Sequence, residues 1–172
     1  MALDTFTLAG SAAIAGLVAL SAFFSSSETA IFTLSDEWIT EQESLGDARI
    51  AVLQELRSDP HRLLVTILVG NNVVNMAIAS LTTVIVIKFL PAGGAVTVAT
   101  VLASFIVLVF GEIVPKSYGL GHAREWAPTV AGPISLVERS LYPLVVVFDV
   151  VTRRLSAWIG GDVDIEDPYV EE

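Results

Sequence analysis

The chain has 172 residues, of which 53% are hydrophobic and only 16% are charged, a balance that is typical of a membrane protein rather than a soluble domain. It contains no cysteine, so disulfides, thiolate nucleophiles and cysteine metal sites are excluded. The formal net charge of −10 argues against nucleic acid as a partner, because phosphate binding needs clustered basic groups.

The first predicted transmembrane helix covers residues 5–34. Residues 5–27 carry no charge, and the residues that follow up to Leu34 include no glycine or proline that would end a helix. A cleaved signal peptide is the alternative interpretation. Asp4 stands where a signal peptide has basic residues, and the apolar run is longer than that of a signal peptide, so the transmembrane helix is favoured.

The second half of this helix is rich in serine. Ser21, Ser25 and Glu28 follow one another at i, i+4 and i+7, a spacing that places them on one helix face, with Ser26 beside it. Serines in membrane helices often serve as small packing residues or bond to their own helix, and packing is the alternative explanation for each of them.

The acidic segment 35–60 is predicted to be a cytoplasmic helical hairpin. Ser35 precedes two acidic residues, as at a helix start, and Gly46 marks a turn. The sequence Ser58-Asp-Pro60 is typical of the cap and first turn of the next helix.

Two further transmembrane helices are predicted, over residues 62–88 and 91–114. Their uncharged cores, residues 63–87 and 91–111, are each long enough to cross a hydrocarbon layer of about 30 Å at about 1.5 Å per residue. The chain is therefore predicted to cross the membrane three times.

Three asparagines lie within the second predicted transmembrane helix, residues 62–88. Asn71 and Asn75 are one turn apart on one face, whereas Asn72 is rotated away from Asn71 by about 100°. A single membrane asparagine often joins two helices, but three so close together exceed what one helix contact requires. This cluster favours a binding function.

The third helix ends in an acidic residue, a proline and a lysine. Glu112 lies at the membrane boundary. Pro115 has no backbone N–H, so the carbonyl of Gly111 is expected to lose its intrahelical donor and the helix to break. A carboxylate beside a free carbonyl suits a hard cation. A salt bridge between Glu112 and Lys116, one turn apart, is the alternative.

Residues 121–160 are apolar but interrupted by charges and prolines. They are predicted to form juxtamembrane helices, with a fourth span over residues 134–151 as the alternative. Residues 1–160 then make up the transmembrane domain, and residues 161–172 an acidic linker or tail. All lysines and arginines except Lys88 lie in the hairpin, at the start of the second helix or after Glu112, which predicts an outside amino terminus and a cytoplasmic carboxyl terminus.

The polar groups of all three helices map to the cytoplasmic half of the membrane. Their common depth predicts one shared, cytoplasm-facing pocket, since polar residues within a membrane are costly and usually mark a site. Hydroxyl, amide, carboxylate and carbonyl oxygens match the ligands of Mg²⁺ or Na⁺, and composition alone does not distinguish these ions.

Three segments carry a family resemblance. They are Ser25-Ser-Ser-Glu-Thr-Ala30, Gly70-Asn-Asn-Val-Val-Asn75 and Gly111-Glu-Ile-Val-Pro-Lys116. In this order and spacing, over roughly residues 5–160, the chain resembles the transmembrane domain of the CorC/cyclin M family of magnesium transporters.

The resemblance implies an all-α homodimer in the cell membrane, each protomer with three transmembrane helices and a belt of juxtamembrane helices. It implies that a largely dehydrated Mg²⁺ is held by oxygens of Ser25, Asn71, Asn75 and Glu112. Ser21 and the carbonyl of Gly119 are further candidate ligands. Ser26, Glu28, Asn72, Gly111, Pro115 and Lys116 are expected to support the site.

The resemblance also suggests outward movement of Mg²⁺, coupled to inward movement of Na⁺. Members of the family usually continue into cytoplasmic CBS modules that bind ATP with Mg²⁺. The chain stops at Glu172, where these would begin, which indicates a truncated protein or a minimal member without nucleotide control. ATP is thus expected as a partner only through a domain absent from this chain.

The function predicted from these observations is Mg²⁺ transport by alternating access. A membrane sensor that binds Mg²⁺ without moving it is the second hypothesis. An enzyme is not expected, because the sequence has no HExxH motif, no evident Ser/His/Asp arrangement and only two distant histidines, His61 and His122.

Overall fold

The computed structural model describes residues 4–44 and 46–159. Within these residues all regular secondary structure is helical, which confirms the predicted all-α fold. In chain order the elements are α1 (Thr5–Thr33), α2 (Asp36–Ser44), α3 (Ala48–Arg57), α4 (Pro60–Val86), α5 (Ala92–Ile106), a π-helical turn (Val107–Ile113), α6 (Val114–Gly121) and α7 (Ala123–Ile159).

Three helical stretches are long and apolar enough to cross a membrane, as the sequence predicted. They are Thr5–Thr33, Pro60–Val86 and Gly93–Gly121. Large apolar side chains on the third stretch, such as Val101 and Phe105, are more than half exposed in the single chain. A soluble protein rarely exposes so much apolar surface, and the chain is a multi-pass membrane protein.

The candidate site lies in the first of two compact units, which comprises Met1–Leu34 and Gly70–Ala127. In this unit α1 packs against the π-helical turn and α6. Asp4 caps α1 by accepting a hydrogen bond of 3.0 Å from the backbone N–H of Thr7. Lys88 reaches the same end, with its Nζ atom 2.8 Å from Oδ2 of Asp4. The amino end of α1 is therefore tied both to its own first turn and to the residues after α4.

The second unit comprises Ser35–Val69 and Pro128–Glu172. Helices α2 and α3 form a hairpin whose turn includes Gly46, with φ of 79°. An ion pair of 2.7 Å between Arg57 and Asp36 joins the two helices. The predicted acidic tail, residues 161–172, lies outside the described residues.

One continuous helix, α7, stands where the sequence predicted several juxtamembrane helices. It contains Pro128, Pro133 and Pro143, each of which removes a backbone donor. Its sequence also places apolar residues at helical spacing, and Ala131 and Ile134 are fully buried. Burial of these residues stabilises the helix around Pro128 and Pro133, which local sequence signals alone did not indicate.

Candidate cation site

Ser21 is the residue at which three elements of the first unit meet. Its side chain lies on α1 and is fully buried. Its Oγ atom lies 2.7 Å from Oδ1 of Asn75 and 3.0 Å from Oδ1 of Asn71, both on α4. The carbonyl oxygen of Gly111, in the π-helical turn, lies 3.5 Å from the same atom. Polar groups far apart in the sequence thus converge on one serine.

The number of hydrogens in this cluster is smaller than the number of acceptors. A serine hydroxyl has one hydrogen, so Ser21 can donate to only one of Asn71, Asn75 and Gly111 at a time. The side-chain oxygen atoms of Ser21, Asn71 and Asn75 therefore converge with a single hydroxyl hydrogen among them. Oxygens left without a donor repel one another, and a bound cation would relieve that repulsion.

The amide groups of both asparagines are oriented by a second set of contacts. Nδ2 of Asn75 donates to Oε1 of Glu112 over 3.2 Å, and Nδ2 of Asn71 lies 3.5 Å from Oγ of Ser25. These contacts turn the amide nitrogens outward from Ser21 and the amide oxygens toward it. Asn72, by contrast, is exposed, in agreement with its predicted rotation away from Asn71.

The backbone that carries Glu112 is a π-helical turn rather than an α-helix. At its end the N–H of Val114 donates to the carbonyl of Val109, five residues earlier. Pro115 follows within the first two positions of α6, directly after the π-helical turn. The predicted break at Pro115 does not occur, because the wider turn absorbs the missing donor and the chain stays helical. The Gly111 carbonyl instead faces Ser21.

Two glycines allow α1 and the third membrane stretch to approach closely. A Cβ atom on Gly111 would lie 2.7 Å from Oγ of Ser21, a distance that side-chain carbons do not adopt. A Cβ on Gly119 would meet the backbone carbonyl oxygen of Ser26 at even closer range. Gly119 is buried in this contact, so it has a packing role, and its predicted role as a carbonyl ligand stays a prediction.

An ion pair lies one turn beyond the oxygen cluster. Nζ of Lys116 is 3.1 Å from Oε2 of Glu28, which joins α6 to α1. The sequence offered Glu112 as the partner of Lys116, one turn away on the same helix. In the structure Lys116 pairs with Glu28 instead, and Glu112 keeps its contact with Asn75.

Trp126 also touches this region, although no sequence pattern predicted it. The indole Nε1 of Trp126, at the start of α7, donates to Oγ of Ser26 over 3.1 Å. Ser26 in turn donates to the carbonyl of Phe23. No spacing rule relates residues so distant in the sequence; the only available signal was that a buried indole usually finds an acceptor.

The donor set decides which ions the cluster fits. Glu112 is the carboxylate that contacts the cluster, through Nδ2 of Asn75, and the neutral oxygens are those of Ser21, Asn71, Asn75 and Gly111. Within the described parts of the chain, no group of three or more His, Cys, Asp or Glu side chains is placed to hold a metal. One carboxylate with several neutral oxygens suits a hard cation that binds and leaves, rather than a permanently bound zinc ion.

Known proteins similar to this chain share its membrane segments. Residues 12–172 match the family described as the cyclin M transmembrane N-terminal domain. The chain is 30% identical over 146 residues to the UPF0053 inner membrane protein YfjD of Escherichia coli, covering 85% of this chain and 34% of that protein.

Two further relatives come from other organisms. A chloroplastic DUF21 domain-containing protein of Arabidopsis thaliana is 35% identical over 159 residues, which are 92% of this chain and 24% of that protein. A UPF0053 protein of Haemophilus influenzae is 31% identical over 151 residues, which are 88% of this chain and 36% of that protein. The chain thus spans about a third or less of the length of these relatives.

Proposed function

We propose that this chain, which belongs to the cyclin M transmembrane family, moves Mg²⁺ across the membrane through the oxygen cluster around Ser21. Membership in a membrane family with transporter-like domains supports a role in metal transport or a related process. The oxygen ligands of the cluster support a hard cation, and the finer assignment to Mg²⁺ is supported by the family resemblance.

The observation that carries the proposal is the convergence of oxygens on a single hydroxyl. The amide oxygens of Asn71 and Asn75 and the carbonyl of Gly111 all lie within 3.5 Å of Ser21 Oγ. Mg²⁺ requires oxygen ligands at about 2.0–2.1 Å. Small movements of these groups would replace their contacts with one another by contacts with the ion. Glu112 would supply negative charge.

The location of the cluster supports transport over permanent binding. Its members lie on three separate helical stretches that are long enough to span a membrane. Transporter sites commonly lie between helices where a discontinuity exposes backbone carbonyls, and the π-helical turn Val107–Ile113 is such a discontinuity. Relative movement of these helices would open the site to one side and then to the other.

We further propose that the transporter works as a homodimer, with its amino terminus outside and its carboxyl terminus in the cytoplasm. Exposed small residues on α1, among them Ala13 and Gly16, would permit close approach of a second helix. Outward movement of Mg²⁺ driven by inward Na⁺ is the direction that the family resemblance suggests. The relatives' additional length leaves room for control by a domain outside this chain.

Magnesium flux into proteoliposomes tests the proposal. The purified chain should move Mg²⁺ into or out of vesicles that carry a trapped Mg²⁺ indicator, and an inverse Na⁺ gradient should accelerate it. Asn75→Ala should reduce the rate by about tenfold or more, since it removes one oxygen and frees Glu112. Ser80→Ala is the matched control, because Ser80 is an exposed serine on the same helix that donates to the carbonyl of Met76, one turn earlier.

The outcomes separate the candidate functions. Flux that is lost in Asn75→Ala and retained in Ser80→Ala supports transport through this cluster. Mg²⁺ binding without any flux would contradict transport and favour the membrane sensor. A flux that is independent of the Na⁺ gradient would exclude Na⁺ as the coupling ion.

A further inference from the structure

We propose that Lys116 is a tethered cation that competes with the transported ion for Glu112. With an ion in the cluster, Lys116 pairs with Glu28; with the cluster empty, it moves one turn and pairs with Glu112. The inference rests on the proposed function and adds a device that compensates the charge of the empty site.

Lys116 has two carboxylates within reach. The structure shows its Nζ atom 3.1 Å from Oε2 of Glu28 on α1. Glu112 precedes it by four positions in a stretch that stays helical from the π-turn into α6. Side chains four positions apart are neighbours on a helix surface, and a lysine side chain is long and flexible enough to reach either partner.

The observed ion pair is also easy to exchange. The Lys116 side chain is 45% exposed and that of Glu28 is 25% exposed. Pairs that retain this much contact with solvent contribute little to stability and are readily replaced by another partner. The 3.1 Å contact is thus one of two positions available to Lys116 rather than a fixed clamp.

Glu112 needs such a partner when no ion is bound. In the structure its carboxylate accepts a hydrogen bond from Asn75, which neutralises no charge. Uncompensated carboxylates in a membrane span are costly, and that cost would oppose every step in which the empty carrier changes its orientation. Lys116, one turn away, would supply the compensating positive charge.

The exchange would couple ion release to a change between helices. When Lys116 leaves Glu28 it also removes an ion pair between α6 and α1. Binding of Mg²⁺ at Glu112 would restore that pair. The pairing of Lys116 would therefore link occupancy of the cluster to the contact between α6 and α1.

A double-mutant cycle on Mg²⁺ affinity tests the exchange. Mg²⁺ binding to the purified chain is measured by titration calorimetry for wild type, Lys116→Gln, Glu28→Gln and the double variant. Lys116→Gln should bind Mg²⁺ more tightly, by about two- to fivefold, because the competitor is gone. Glu28→Gln should bind more weakly by a similar factor, because Lys116 then stays at Glu112. Lys116→Arg is the control that keeps the charge.

The double variant gives the decisive result. If Glu28 acts only through Lys116, the double variant binds as tightly as Lys116→Gln. If the two charges merely act on the ion through space, their effects cancel and the double variant binds like wild type, which would overturn the exchange. Weaker binding in both single variants would show a structural clamp and would also overturn it. No Mg²⁺ binding by the wild type would instead reject the proposed function itself.

Discussion

The hydroxyl of Ser21 and the amide oxygen of Asn75 lie 2.7 Å apart, which joins α1 to α4 at the centre of the first unit. The same hydroxyl is also within reach of Asn71 and Gly111. Because one hydrogen serves three acceptors, this contact holds the helices together only weakly. In the proposed transporter this contact would be exchanged for contacts to the cation.

A methyl group on Gly111 should close the site. In Gly111→Ala the new Cβ would lie 2.7 Å from Oγ of Ser21, so the serine must move or the π-helical turn must shift. Overpacking of this kind costs about 1–3 kcal/mol. We expect a lower melting temperature and weaker Mg²⁺ binding. Adding Ser21→Ala should restore part of the melting temperature but not the binding; a Gly111→Ala protein with wild-type stability and affinity would contradict the close contact.

Gly119 and Gly121 should respond differently to the same substitution. A Cβ on Gly119 would collide with the backbone carbonyl of Ser26, whereas a Cβ on Gly121 meets nothing within 4 Å. Gly119→Ala should therefore lower the melting temperature, by an amount corresponding to about 1–3 kcal/mol. Gly121→Ala, in the same helix, should leave it unchanged or raise it slightly. Equal melting temperatures for both variants would show that α1 and α6 are less closely packed.

Trp126 and Ser26 should be energetically coupled. Trp126→Phe retains most of the ring but loses the N–H that donates to Ser26 over 3.1 Å. A hydrogen bond of this kind contributes about 1 kcal/mol. Unfolding of wild type, both single variants (Trp126→Phe and Ser26→Ala) and the double variant gives the coupling energy. Strictly additive effects of the two substitutions on the free energy of unfolding would show that the indole N–H does not bond to Ser26.

The ionisation of Asp4 should make the stability of the fold depend on pH. Asp4 lies at the amino end of α1, the end farther from the Ser21 cluster. The hydrogen bond from Lys88, followed by those from Thr7, lowers the pKa of Asp4 from 3.8 to about 2. Since the pKa is lower in the folded state, the stabilisation is fully present above the unfolded pKa and is lost as the pH falls from about 4 to about 2. Wild type should melt at a higher temperature than Asp4→Asn at pH 6, and the difference should shrink near pH 2. A difference independent of pH would exclude the Lys88 contact as its cause.

The sequence predicted those features of the fold that depend on composition. Long uncharged runs are typical of membrane-spanning helices, so the three spans could be predicted from the sequence. The depths of Ser21, Asn75 and Glu112 along their helices were also readable, because helical rise is constant. Their side-chain contacts required the structure, since spacing fixes a residue's depth but not the rotation of one helix against another.

Other features depend on competition between local and tertiary effects. Pro115 signals a helix break, yet the chain stays helical because the π-helical turn before the proline accommodates the missing N–H. Composition does not predict such a turn. The prolines of α7 likewise signal interruptions, yet the chain stays helical through all three. Lys116 had carboxylates at Glu112 and Glu28, and only the packing of α6 on α1 determines which one it contacts. The homodimer stays a prediction.

Calorimetric titration of Mg²⁺ against wild type, Glu112→Gln, Ser21→Ala and Ser80→Ala tests most directly whether the Ser21 cluster holds the ion. Glu112→Gln should weaken binding by about tenfold or more, because it removes the negative charge of the carboxylate that contacts Asn75 and would attract a divalent ion. Ser21→Ala should weaken it less, since water can replace one neutral oxygen, and Ser80→Ala should match wild type. Equal affinities in all four proteins would contradict the account and place the ion elsewhere.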